Sequence, residues 1–204
     1  KCKSIPLLIS PTMLYAAYRK YQLARDPNAI RDFIIEMNKL YFYLTPLLAV
    51  FSLSFGTDLG ICESLIFSPI FIYALSRVNE VFVAFIRDAS SHLTQNESKS
   101  SLEYHERIPL ALRSYVELIV LFGLIFFGLN SWFDAISCAT ENGRCELSTW
   151  DSIYFSGVTI TTLGYGEFTP NSFLSQFFTI YEVLAGFTLI VVSFTVYVSK
   201  SLSQ

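Results

Sequence analysis

Near the end of the chain, between two apolar stretches, lies Thr159-Ile160-Thr161-Thr162-Leu163-Gly164-Tyr165-Gly166-Glu167. Glycine reaches backbone dihedrals that other residues enter only at a steric cost. An extended backbone with Gly at 164 and 166 can therefore turn successive carbonyl oxygens to one side. Such a row is a ligand set for a cation that must shed its water on entering a narrow pore. Thr162 adds a hydroxyl oxygen at the inner end. Leu163 and Tyr165 then point outward into surrounding protein and hold the opening at its diameter. One chain supplies one wall, so the chemistry calls for several copies.

Other residues invite separate chemistry. Glu182 is a carboxylate in apolar surroundings, four residues before Gly186. An acid so placed is either functional or buried and hydrogen-bonded to the back of a neighbouring helix near Ser156 or Thr159. Gly186 is a bending point or a site of close helix packing. Ile190, Phe194 and Val198 follow it at four-residue steps as one helical stripe. That stripe lines an apolar constriction able to gate by dewetting, or it faces lipid. Cys138 and Cys145 flank six residues of a polar loop, and form a disulfide where oxidation is allowed or remain free thiols. The four Cys and two His are too scattered for the usual zinc spacings. Gly164-Tyr165-Gly166 fails as a dinucleotide fingerprint, because Thr169 stands where a third glycine belongs.

The elements that must position these residues follow from hydropathy. Hydrophobic residues make up 52% of the 204 and charged residues only 15%, against about 25% in a soluble domain. Mean hydropathy is +0.46. This balance argues against a soluble enzyme, and a net charge of -3 offers nucleic acid no general attraction. Four apolar runs, Leu40 to Gly56, Ile61 to Ile86, Ile108 to Phe133 and Phe173 to Ser199, each approach the roughly 20 residues that cross a bilayer core. Trp150 to Thr162 reaches only about two thirds of the way and reads as a buried or re-entrant helix. Asp26-Pro27 is an N-cap with Pro at the first helical position, and its helix can run through Ile34, Ile35 and Leu40 into the first span. Asp88 to Arg107 is a polar linker, and Asp134 to Ser148 a shorter loop.

Even numbers of crossings put both termini and the linker on one side. That side carries Lys1, Lys3, Arg19, Lys20, Arg25, Arg31, Lys39, Arg87, Lys99, Arg107, Arg113 and Lys200, and the other only Arg144. The positive-inside rule makes both termini cytoplasmic, which also discounts the sequon at Asn96. Arg77 and Arg87 are too sparse for a voltage sensor. Arg77, about 24 Å along a helix from Ile61, is expected to snorkel to the interface and to pair with Glu80 at i,i+3.

The stretch from Thr162 to Gly166 closely resembles the selectivity filter of potassium channels, Thr-Val-Gly-Tyr-Gly followed by Asp. The resemblance covers roughly 108–200: outer helix, aromatic pore helix (Trp150, Tyr154, Phe155), filter, Pro170 and an inner helix with Gly186 near its middle. It implies an all-α integral membrane protein with four transmembrane helices plus a re-entrant pore helix and filter, assembled as a homotetramer. The pattern is prokaryotic in type, with two extra spans before the pore. The chain then divides into a cytoplasmic or interfacial segment over 1–39, a peripheral helix pair over 40–90, a cytoplasmic linker over 91–107 and a pore domain over 108–200.

The implied activity is passive, potassium-selective conduction without steep voltage dependence. The K⁺ sites fall at Thr162, Leu163, Gly164 and Tyr165, and no organic cofactor is implied. Thr159, Glu167 and Glu182 become filter supports by the same resemblance, Gly186 a hinge, and Cys138–Cys145 a plausible tie for the outer loop. The chain's partners are then copies of itself and membrane lipid, in the plasma membrane. Lys1 stands where a start Met would, which predicts a piece of a longer protein, so a cytoplasmic regulatory domain absent from this chain stays open. Leu163 replaces the commoner Val and Glu167 replaces Asp. The first is mild because the backbone coordinates, and the second rearranges contacts behind the filter. Alternatives are a nonselective cation channel, which usually departs from the aromatic at Tyr165, a nonconducting subunit, and a potassium uptake system with four fused, degraded filters. Most distant is an intramembrane aspartyl protease. Its signature needs Gly-x-Gly-Asp and a second intramembrane Asp, whereas Glu167 stands fourth here.

Overall fold

The computed structural model describes residues 10–55, 59–93, 104–139 and 145–190. Six helices and two short strands run in the order α1 (Pro11–Gln22), α2 (Pro27–Ser52), α3 (Ile61–Leu93), α4 (Tyr104–Phe133), β1 (Ile136–Cys138), α5 (Thr149–Ile160), β2 (Phe168–Pro170) and α6 (Phe173–Phe187). Among the described residues, α2, α3, α4 and α6 are long and apolar enough to cross a membrane. The architecture is that of an all-α, multi-pass membrane protein.

Local chemistry starts several helices. Asp26 caps α2 by accepting from the Asn28 and Ala29 amides at 2.9 and 3.3 Å, which satisfies donors no helix can pair internally. Ser148 and Asp151 form a capping box at the start of α5, and Ser172 and Ser175 another at α6.

α4 is the central pillar, touching α2, α3, α5 and α6. From Leu121 to Phe127 every side chain is fully buried, the pattern of a helix enclosed on all sides. Gly123 permits that enclosure: a Cβ there would lie 2.7 Å from the Ile153 Cα of α5.

Three features differ from the sequence expectation. α1 is an additional helix, docked on α3 through Ser10, whose hydroxyl donates to the Ser76 carbonyl at 2.8 Å. The linker expected over 88–107 is helical at both ends, since α3 continues to Leu93 and α4 begins at Tyr104. The loop after α4 contains β1, which pairs antiparallel with β2, Ile136 opposite Pro170 and Cys138 opposite Phe168. Three-residue strands paired across α5 and the segment after it leave no periodicity to read.

Candidate functional site

The segment after α5 is built as a helix cap that opens into an alternating backbone. The Thr162 amide bonds the Thr159 carbonyl at 2.9 Å and the Leu163 amide bonds the Val158 carbonyl at 3.0 Å. These two bonds form a Schellman closure, with Thr162 in the left-handed position usually held by glycine. Its φ is +60°, followed by +57° at Gly164 and +83° at Gly166. Positive φ thus recurs at every second residue from 162 to 166, the alternation that turns successive carbonyls to a common side. A β-branched residue at such a φ is strained. At Gly164 and Gly166 an added Cβ would meet nothing within 4 Å, so these glycines serve dihedral angle rather than space.

Residues 161–167 are exposed in the single chain, Leu163 at 60% and Tyr165 at 65%. The sequence reading expects both side chains to enter surrounding protein; among the described residues of this chain more than half of each stays uncovered. A shallow cavity of about 30 Å³ lies between this segment and α5, lined by Tyr154, Phe155, Val158, Thr159 and residues 164–168. That is room for about one water. Glu167 stands beside Tyr154, whose phenol is pushed above its ordinary pKa by desolvation first and by this carboxylate second. The C-terminal end of α5, with its partial negative charge, feeds directly into the segment.

Behind it, Ser156 joins three helices. Its hydroxyl lies 2.8 Å from the Ile119 carbonyl of α4 and within hydrogen-bonding reach of Glu182 Oε1 of α6. Glu182 is fully buried, and its second oxygen has no hydrogen-bond partner among the described residues. Of the two positions named for it from sequence, Ser156 makes the contact. A Cβ on Gly186 would fall 2.5 Å from Ile160 Cγ1, so in this structure the glycine serves close approach of α6 to the end of α5. Cys138 and Cys145 are disulfide-bonded, their Cα atoms 5.2 Å apart, which ties β1 to the segment entering α5. Ile190 is exposed; Phe194 and Val198 lie outside the described residues.

Arg77 pairs with Glu80 at 3.2 Å as expected but departs from expectation in its burial. It does not snorkel: it is 6% exposed, paired also with Glu117 of α4 at 2.7 Å, with the Tyr41 ring 4.1 Å from its guanidinium carbon. Snorkelling needs a free path to water, and α2 and α4 close it. The sequence reading names Glu182 but passes over Glu117, although a carboxylate inside a span is the same signal at both positions. Tyr181, whose hydroxyl donates to Asn79 Oδ1 at 2.8 Å, carries no such signal.

Residues 114–201 match a protein-family model described as "Ion channel". Over 40 residues the chain is 50% identical to Two-pore potassium channel 3 of Arabidopsis thaliana, covering 20% of this chain and 9% of the relative. Over 37 residues it is 49% identical to Two-pore potassium channel 2 of the same plant, covering 18% and 8%. The chain therefore spans less than a tenth of the length of these curated relatives. No solved structure matches. The similarity is to channels rather than to enzymes.

Proposed function

We propose that the chain is one subunit of a potassium-selective channel of prokaryotic type, in which Thr162 to Gly166 from four copies surround a common axis. K⁺ exchanges its water for backbone carbonyls and the Thr162 hydroxyl as it passes. The observation that carries the reading is the alternation of positive φ at Thr162, Gly164 and Gly166 immediately after the C-terminal end of α5. The matches to potassium-channel relatives support the choice of ion.

Assembly from copies is supported by what one chain leaves uncovered. On α6, Phe173, Phe177, Ile180, Leu184 and Phe187 are all more than half exposed. They are spaced 4, 3, 4 and 3 residues apart, the seam spacing of packed parallel helices. With Leu163 and Tyr165 they form an apolar surface that a copy of the same chain would cover. The Lys/Arg asymmetry supports cytoplasmic termini in the plasma membrane, and the burial of Arg77 among carboxylates supports conduction without steep voltage dependence.

Reconstitution into vesicles tests the reading. A reversal potential following the K⁺ gradient against an opposing Na⁺ gradient, lost in Tyr165→Ala, is expected. Equal permeation of Na⁺ would assign a nonselective pore, and absence of flux in every lipid and voltage condition would assign a nonconducting subunit.

A further inference from the structure

One turn of α3 touches α1, α2, α4 and α6. Ser76 receives α1, its hydroxyl 3.0 Å from that of Ser10 and 2.8 Å from that of Thr12. Arg77 reaches the Tyr41 ring of α2 and Glu117 of α4. Asn79 accepts the Tyr181 hydroxyl of α6 at 2.8 Å. Tyr181 is clasped further by Phe82 of α3 and Phe122 of α4, at ring distances of 5.2 and 5.9 Å. The next residue on α6, Glu182, holds Ser156 of the helix that ends in the filter. A rigid run of contacts therefore leads from the N-terminal helix through four residues of α3 to the back of the filter.

We infer that Asn79 and Tyr181 are positioning residues for the inner helix, through which the peripheral helices α1 to α3 set the conducting state of the pore; this rests on the channel reading above. Their bond is polar and specific, and it lies partly buried beside the aromatic rings of Phe82 and Phe122. The Arg77–Glu117 pair fixes α3 against α4, so that a displacement of α1 or α3 reaches α6 at Tyr181 instead of being absorbed between α3 and α4. The peripheral pair is then an input to the pore rather than a collar around it.

The test is a double-mutant cycle on the full chain in lipid nanodiscs and bilayers, with Asn79→Ala, Tyr181→Phe and the two combined. Amide hydrogen exchange across α6 should rise on the order of fivefold in each single variant, the worth of one hydrogen bond, and no further in the double. Open probability should shift with it while the K⁺/Na⁺ permeability ratio stays as in the wild type. Unchanged exchange in α6, or fully additive effects, would overturn the coupling. Changed exchange with unchanged open probability would reduce the bond to a structural brace and also overturn it. If the wild type carries no current the channel reading fails, and the exchange cycle still decides whether α3 positions α6.

Discussion

Arg77 of α3 and Glu117 of α4 meet as a two-pronged ion pair at 2.7 and 3.2 Å, their side chains 7% and 0% exposed. Both charges sit where water cannot replace a lost partner, so each is costly alone. Arg77→Met or Glu117→Leu singly should destabilise the fold by about 3–5 kcal/mol. The double replacement strands neither Arg77 nor Glu117 but takes the 3.2 Å partner from Glu80, so it should recover part of that loss. Denaturant titration of the detergent-solubilised protein reads both; equal loss in single and double variants would mean that the pair itself, and not the orphaned charge, matters.

Gly164→Ala and Gly166→Ala each place a side chain at positive φ, a cost of roughly 1–2 kcal/mol, with no steric obstruction in the chain. The helices should stay folded, as judged by circular dichroism and elution volume. K⁺ selectivity, read as reversal potential, should fall sharply. Retained selectivity in either variant would detach the backbone alternation from the function.

Ser156 has one proton for two oxygens, those of Ile119 and Glu182. A donor at position 182 completes the set, and glutamine carries one. Glu182→Gln should therefore retain near-wild-type stability, whereas Glu182→Ala should lose about 2–3 kcal/mol through the stranded hydroxyl and the cavity left behind. Thermal melting of the two variants side by side separates them, and a Glu182→Gln as damaged as Glu182→Ala would show that a charged carboxylate is required.

Gly186→Ala brings a methyl to 2.5 Å from Ile160 Cγ1. Overpacking of this kind costs about 1–3 kcal/mol and would push α6 from the end of α5. Ile160→Ala should relieve it by removing both Cγ1 and Cδ1, the two side-chain atoms that the new methyl meets. Rescue of flux by the second change would assign Gly186 to packing; a Gly186→Ala defect untouched by Ile160→Ala would assign it to bending.

Much of this protein is legible in its residues because the signals are local. Four apolar runs, a capped start at Asp26-Pro27 and the glycines at 164 and 166 each state their structure within a few positions. The dihedral demands of 162–166 lie in the segment itself. Even the carboxylate at 182 announces burial by standing in an apolar run, and the helical register carries it to Ser156.

What only the tertiary structure decided are the pairings between distant positions. Arg77 finds Glu117 at a separation of 40 residues, Ser10 finds Ser76 at 66 and Tyr181 finds Asn79 at 102. A hydropathy pattern specifies that a helix is buried, not which face meets which neighbour. The strands 136–138 and 168–170 are too short for any period, and they exist because the ends of α4 and α6 bring them within reach. The exposed Leu163 and Tyr165 follow the same logic: the sequence determines the alternating backbone of 162–166, while packing determines which of its side chains stay uncovered.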